Sequence, residues 1–275
     1  MTRIRVFTAL LMAPVAIAAV LLLSTPWMVA LGALLFLAGM WEWFHLAEVE
    51  DTLARSALLV ANLLLMVMIV WASPTDAGGS LVLFKLAVVV GVVWWLLAML
   101  WLMNYDFASD HDTNARVFKL AAATLSVVPA WCALALIHSD GAGWLLLALA
   151  MIWAADTGAY FAGRAFGRHK LSPRISPNKT IEGMAGGAVA SIVVALAGAY
   201  FLGTEATMLP LVALVALVTV LFSVVGDLFE SLLKRHVGAK DSGNLLPGHG
   251  GLLDRLDSVL AALPVFALGK IWLGF

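Results

Sequence analysis

Long apolar runs, each roughly 20 residues and separated by polar segments, fill this chain from end to end. Lipid offers a peptide group no hydrogen-bond partner, so such runs must fold as helices that satisfy their own backbone. About nine runs are present, at approximately 6–23, 27–46, 57–72, 81–103, 117–137, 144–162, 184–201, 211–229 and 258–275. Only 12% of the 275 residues are charged and 63% are apolar; a soluble domain carries about 25% charge. The predicted fold is therefore all-α, a polytopic integral membrane protein. The lone cysteine, Cys132, excludes an internal disulfide and a cysteine-based zinc site. A net charge of -1 gives no general attraction to nucleic acid.

Charge placement predicts orientation. Nine spans put the two ends on opposite sides, and all but Lys85 and Lys270 of the 16 Lys and Arg residues fall on the N-terminal side. The positive-inside rule then places the N-terminus and the long loops in the cytoplasm. The N-terminal run extends to Leu23, which favours an uncleaved first span over a signal peptide. Pro14, Pro129 and Pro264 lie inside spans, where a kink is expected. Trp27, Trp41, Trp43, Trp71 and Trp144 fit an interfacial belt, whereas Trp94, Trp95 and Trp101 lie deeper. The charges at 48–51 and 106–112 read as solvated loop residues.

The second half differs from the first. Residues 156–183 and 227–257 are dense in charge, glycine and proline, and both join spans on one side. Asp156 and Asp227 fall inside predicted spans, where a charge costs roughly 2.5–3.5 kcal/mol. Each needs a basic partner, an ion or a wet cavity. Asp227, Glu230, Ser231 and Lys234 share one helical face, and Asp254, Asp257 and Ser258 repeat that spacing. Carboxylates without cysteine suit a hard cation such as Mg²⁺. Lys and Arg suit phosphate, and the glycines at 248, 250 and 251 let backbone N–H groups approach an anion. His249 fits a phosphate ligand, an acid–base group or a local hydrogen bond equally. These ingredients suggest phosphoryl or nucleotidyl transfer onto a lipid phosphate. No G-x-x-x-x-G-K-[ST] segment is present.

The run Ser231-Leu232-Leu233-Lys234-Arg235, then Lys240-Asp241-Ser242-Gly243, then Leu246-Pro247-Gly248-His249-Gly250-Gly251-Leu252-Leu253-Asp254-Arg255-Leu256-Asp257 resembles the signature of the phosphatidate cytidylyltransferases. Residues 175–183, with Asp156, Gly163 and Gly167, resemble that family's second stretch. Residues 1–150 match only in being apolar, and are expected to form scaffold helices and dimer contacts, with catalysis in 151–275. The resemblance implies synthesis of CDP-diacylglycerol from CTP and phosphatidate with Mg²⁺, a monovalent cation such as K⁺ beside it, and a homodimer. It places the divalent metal on Asp227 and Asp254. Asp156 and Asp257 are candidate additional acids, and Ser231 is close enough in sequence to contribute. Lys179, Lys234, Arg235, Lys240 and Arg255 are assigned jointly to the phosphates, with Ser176, Asn178, His249, Gly250 and Gly251 as further substrate contacts.

The expected location is a bacterial inner membrane, with the site facing the cytoplasm. One rival is a CTP-dependent polyprenol or phytol kinase. Another is an ion-coupled transporter, against which the crowding of polar residues on one side argues. The D-G-x-x-A-R core of the CDP-alcohol phosphotransferases is absent. Single cysteines introduced within 163–183 and 231–257 should react with an impermeant maleimide only from the cytoplasmic face. Labelling from outside intact cells would reverse the orientation.

Overall fold

The computed structural model describes residues 13–73, 81–245 and 250–275. The elements run α1 (Ala13–Leu22), α2 (Thr25–Leu46), α3 (Thr52–Trp71), α4 (Val82–Met103), α5 (Thr113–Asp140), α6 (Ala142–Phe166), β1 (Lys170–Ser172), β2 (Ser176–Thr180), α7 (Ile181–Phe201), α8 (Leu209–His236) and α9 (Leu253–Leu273). A short 3₁₀ turn, Ala206–Met208, leads into α8. Among the described residues, α2 to α9 provide eight helices long and apolar enough to cross a membrane. The first expected span is represented by α1, and its residues 6–12 lie outside the described set.

Several helices extend past the apolar runs because polar side chains cap them. Asp51 Oδ1 accepts from Leu53 N at 3.0 Å, so α3 starts five residues before the predicted span. Asp112 Oδ1 accepts from Ala115 N at 2.7 Å and starts α5. The helix α5 is the most enclosed, packing against α2, α4, α6 and α9. Its Pro129 and the Pro264 of α9 both lie within continuous helices and face Gly91 of α4. A Cβ at Gly91 would clash with Pro129. Pro264 has no N–H, so it cannot pair with the Leu260 carbonyl one turn earlier. Trp95 Nε1 donates to that carbonyl at 3.1 Å instead.

Aromatic packing fixes α8 against the first half. Phe229 is fully enclosed, with ring centroids of Trp43, Trp94, Trp95 and Trp101 at 6.0, 5.8, 5.9 and 5.2 Å. The last three meet it edge to face. Trp43 therefore belongs to the core and not to an interfacial belt. Its Nε1 donates to the Lys119 carbonyl at 3.0 Å, which lets the indole be buried. Trp27 and Trp71 are exposed, as a belt requires.

The loop charges at 48–51 are not all solvated. Glu48 Oε2 lies 3.3 Å from the ammonium of Lys119, whose side chain is wholly buried, and Oε1 lies 2.5 Å from His111 Nδ1. Burial alone would raise the Glu48 pKa, but His111 and Lys119 outweigh it and hold the carboxyl below its ordinary 4.5. A lowered folded-state pKa stabilises above the unfolded value and is lost as pH falls through the folded one. Melting temperature in detergent should therefore drop on acidification below pH 4.5, and Glu48→Gln should flatten that drop. An unchanged slope in the variant would remove Glu48 from the acid response. Phe229→Ala should destabilise the bundle by about 3 kcal/mol in denaturant titrations in detergent, and a loss below about 1 kcal/mol would show that the ring of tryptophans does not anchor α8.

Candidate active site

The site lies where α6, the β-hairpin, α7, α8 and α9 meet. Helices α6 and α7 approach closely because their shared face is built from small residues. A Cβ at Gly158 would sit 2.7 Å from Ala190 Cβ, and one at Gly187 would sit 2.7 Å from the Ala155 carbonyl. The hairpin caps this pair. Thr180 Oγ1 accepts from Gly183 N at 3.1 Å and starts α7, and Glu182 accepts the N–H groups of Arg168 and His169. The sequence predicts a loop here. The strand Ser176–Thr180 is short and polar, without the apolar alternation that marks a strand. Ile175 is buried at the hairpin tip, and its carbonyl accepts from Arg235 Nε at 3.2 Å. The Arg174 guanidinium covers the Tyr105 ring at 4.2 Å.

Between these elements is a cavity of about 620 Å³. Asp156, Arg164, Ser176, Asn178, Lys179 and Asp227 supply its chemistry. Lys179 from β2 forms an ion pair with Asp227 Oδ2. Ser231 Oγ lies 3.4 Å from Asp227 Oδ1. At Gly226, α8 runs so close to α9 that a Cβ would clash with the Asp257 carbonyl. That approach brings Asp257 within electrostatic reach of Asp227, and Asp156 feels Asp227, Lys179 and Arg255.

A second set of charges adjoins the first through Asp257. The Lys234 ammonium stands between Glu230 Oε2 at 2.5 Å and Asp254 Oδ1 at 2.6 Å. Asp254 Oδ2 accepts from Gly251 N at 2.8 Å and from Ser242 N at 3.0 Å. The Gly251 N–H, expected to face a substrate anion, is thus engaged by a carboxylate. Gly250 takes a positive φ of 86° beside Asp254. Lys240 and Arg235 are exposed and lie outside the cavity lining. Among the described residues, no three acidic or imidazole groups close into a cage for an ion. Asp156 and Asp227, with Asp257 in reach, offer oxygen donors only. Such a set fits Mg²⁺, which keeps several waters and takes its remaining ligands from substrate phosphates.

His249, with 246–248, lies outside the described residues. The residue that the sequence reading missed is Glu42 of α2, which reaches the Ser242 hydroxyl at 3.1 Å. Its signal was present: it is a carboxylate inside a predicted span, the same anomaly that singled out Asp156 and Asp227.

Eight helices apolar enough to cross a membrane, with acids and cations at the wall of a cavity between α6, the hairpin, α7 and α8, define a membrane-embedded enzyme. A cytidylyltransferase family profile matches residues 3–271. A phosphatidate cytidylyltransferase of Pseudomonas aeruginosa is 40% identical over 270 residues, covering 97% of this chain and 96% of that protein. One from Haemophilus influenzae is 35% identical over 286 residues, covering 97% and 98%. One from Staphylococcus haemolyticus is 48% identical over 128 residues, covering 46% and 49%. The chain belongs to the cytidylyltransferase family.

Proposed function

We propose that this chain transfers the cytidylyl group of CTP to phosphatidate, forming CDP-diacylglycerol and pyrophosphate for phospholipid synthesis. The observation that carries the reading is the cavity that Asp156, Asp227 and Lys179 line together, with Lys179 paired to Asp227 inside an apolar helix. The two curated relatives that span nearly the whole chain are named for this activity.

In the reaction, a phosphate oxygen of phosphatidate attacks the α-phosphorus of CTP. The bond from that phosphorus to its bridging oxygen breaks, and pyrophosphate leaves with the electron pair. The attacking oxygen is already anionic, so no protein nucleophile is required. Catalysis rests on alignment and on neutralising charge as it moves. Lys179 and Arg164 project cations at the cavity wall. Ser176 and Asn178 offer polar contacts that can orient a phosphate or a base. Asp156 and Asp227 at the cavity wall would hold Mg²⁺, joined by Asp254 of the adjoining charge set, which lies outside the cavity lining, with Ser231 beside Asp227 for a monovalent ion such as K⁺. A bound Mg²⁺ supplies Lewis-acid charge neutralisation at the phosphates. Lys234 holds Asp254 through a 2.6 Å ion pair.

The chain works in the inner membrane as a homodimer, its cavity open to the cytoplasm where CTP is found. Supporting this are the bias of Lys and Arg to one side and the apolar outer face of α3, of which only Asn62 and Met66 are buried.

Purified protein given α-labelled CTP, phosphatidate and Mg²⁺ should release pyrophosphate and move the label into lipid. Label reaching lipid from the γ-position alone would mark a kinase instead. Asp227→Asn should lower turnover at least about 100-fold while the protein elutes and melts normally. Near-normal turnover would take Asp227 out of the reaction.

A further inference from the structure

Glu42 belongs to α2, yet its carboxylate ends inside the loop that leads into α9. The residue is 4% exposed. Its Oε2 accepts the N–H of Leu253 at 2.8 Å and the hydroxyl of Ser242 at 3.1 Å. Helix α9 begins after Leu252, whose side chain makes no cap; the Arg255 N–H turns to the Leu252 carbonyl, and the Leu253 N–H needs an acceptor from elsewhere. Glu42 supplies that acceptor from a residue 211 positions away. Ser242 completes the link, because its hydroxyl also lies 3.1 Å from Asp254 Oδ2 and its N–H donates there at 3.0 Å.

The glycines of the loop match this carboxylate. A Cβ on Gly243 would clash with Glu42 Oε1, and would sit 2.6 Å from its Cδ and 2.9 Å from its Cγ. A Cβ on Gly251 would clash with Glu42 Oε2 and Ser242 Oγ. The other oxygen, Glu42 Oε1, has no hydrogen-bond partner among the described residues. A side chain that only filled space would not carry an uncompensated carboxylate oxygen at this depth, where its burial is costly.

We infer that Glu42 is a positioning residue for the transfer reaction, capping α9 and clamping Ser242, Gly243 and Gly251 so that Asp254 is presented in one orientation. Glu42 is not among the residues that line the cavity. Its action is transmitted through the Leu253 N–H and the Ser242 hydroxyl. The inference rests on the reading of Asp254 as part of the reacting site.

Steady-state kinetics of the full chain in detergent, with CTP, phosphatidate and Mg²⁺, test it. Glu42→Gln keeps the shape but alters the charge and one acceptor. It should elute and melt like the natural chain, hold KM for both substrates within about twofold and lose kcat about tenfold or more. Gly243→Ala should show the same pattern. It should add nothing in a Glu42→Ala background, where the three atoms it would strike are gone. Folded Glu42→Gln with natural kcat, or a loss carried by KM alone, overturns the inference. If Glu42→Gln fails to fold, Ser242→Ala in the otherwise natural chain decides: it removes the hydroxyl that links Glu42 to Asp254, should lose kcat with KM held, and natural kcat in it overturns the inference. An Asp254→Asn variant with natural turnover would defeat the site reading itself. A dead Asp254→Asn beside a fully active Glu42→Gln would defeat only the role given to Glu42.

Discussion

A carboxylate among apolar helices has to meet a positive partner, a donor or a wet cavity, and the arrangement of this protein follows from that need. Asp227 meets Lys179, which arrives on a hairpin inserted between α6 and α7. Asp254 meets Lys234, a backbone N–H and a serine. Glu42 meets the uncapped start of α9. Each acid is thereby tied to an element far away in sequence, so the polar centre also holds the bundle's catalytic half together. Of these acids Asp227 lines the cavity, together with Asp156, while Asp254 and Glu42 lie outside its lining and order the start of α9.

Apolar packing supplies the rigidity that makes such spacing reproducible. With no hydrophobic driving force between helices in lipid, close fit has to do this work. At α6 and α7 it is achieved with glycine and alanine, and at α8 with one phenylalanine enclosed by four tryptophans. Those indoles place their N–H groups on acceptors, including the carbonyl left open by Pro264. Pro129 and Pro264 lie within continuous helices and pack beside Gly91, and Trp95 takes the carbonyl that Pro264 leaves open.

Much of the site could be read in advance because its residues break a local rule. Asp156 and Asp227 stand out as charges in apolar runs, and the spacing of 227, 230, 231 and 234 places them on one face. Glu42 breaks the same rule, but its one polar neighbour along the helix, His45, turns to Arg55 and forms no motif with it. Trp43 looked interfacial by position, and only its buried contact with Phe229 and the Lys119 carbonyl reassigns it. The hairpin is not legible in the sequence because four polar residues and a proline carry no strand periodicity.

The amino-acid order alone determined the class of protein, the number and approximate ends of the spans in the described residues, and the segments that hold the chemistry. It did so because lipid leaves a backbone few options and makes every charge conspicuous. Which acid pairs with which base was decided by the tertiary structure. Lys179 on Asp227, Lys234 on Asp254 and Glu42 on Leu253 join residues 48, 20 and 211 positions apart. Ion pairs and caps act over a few ångströms in space, and no periodicity along a helix encodes which distant helix will supply the other half.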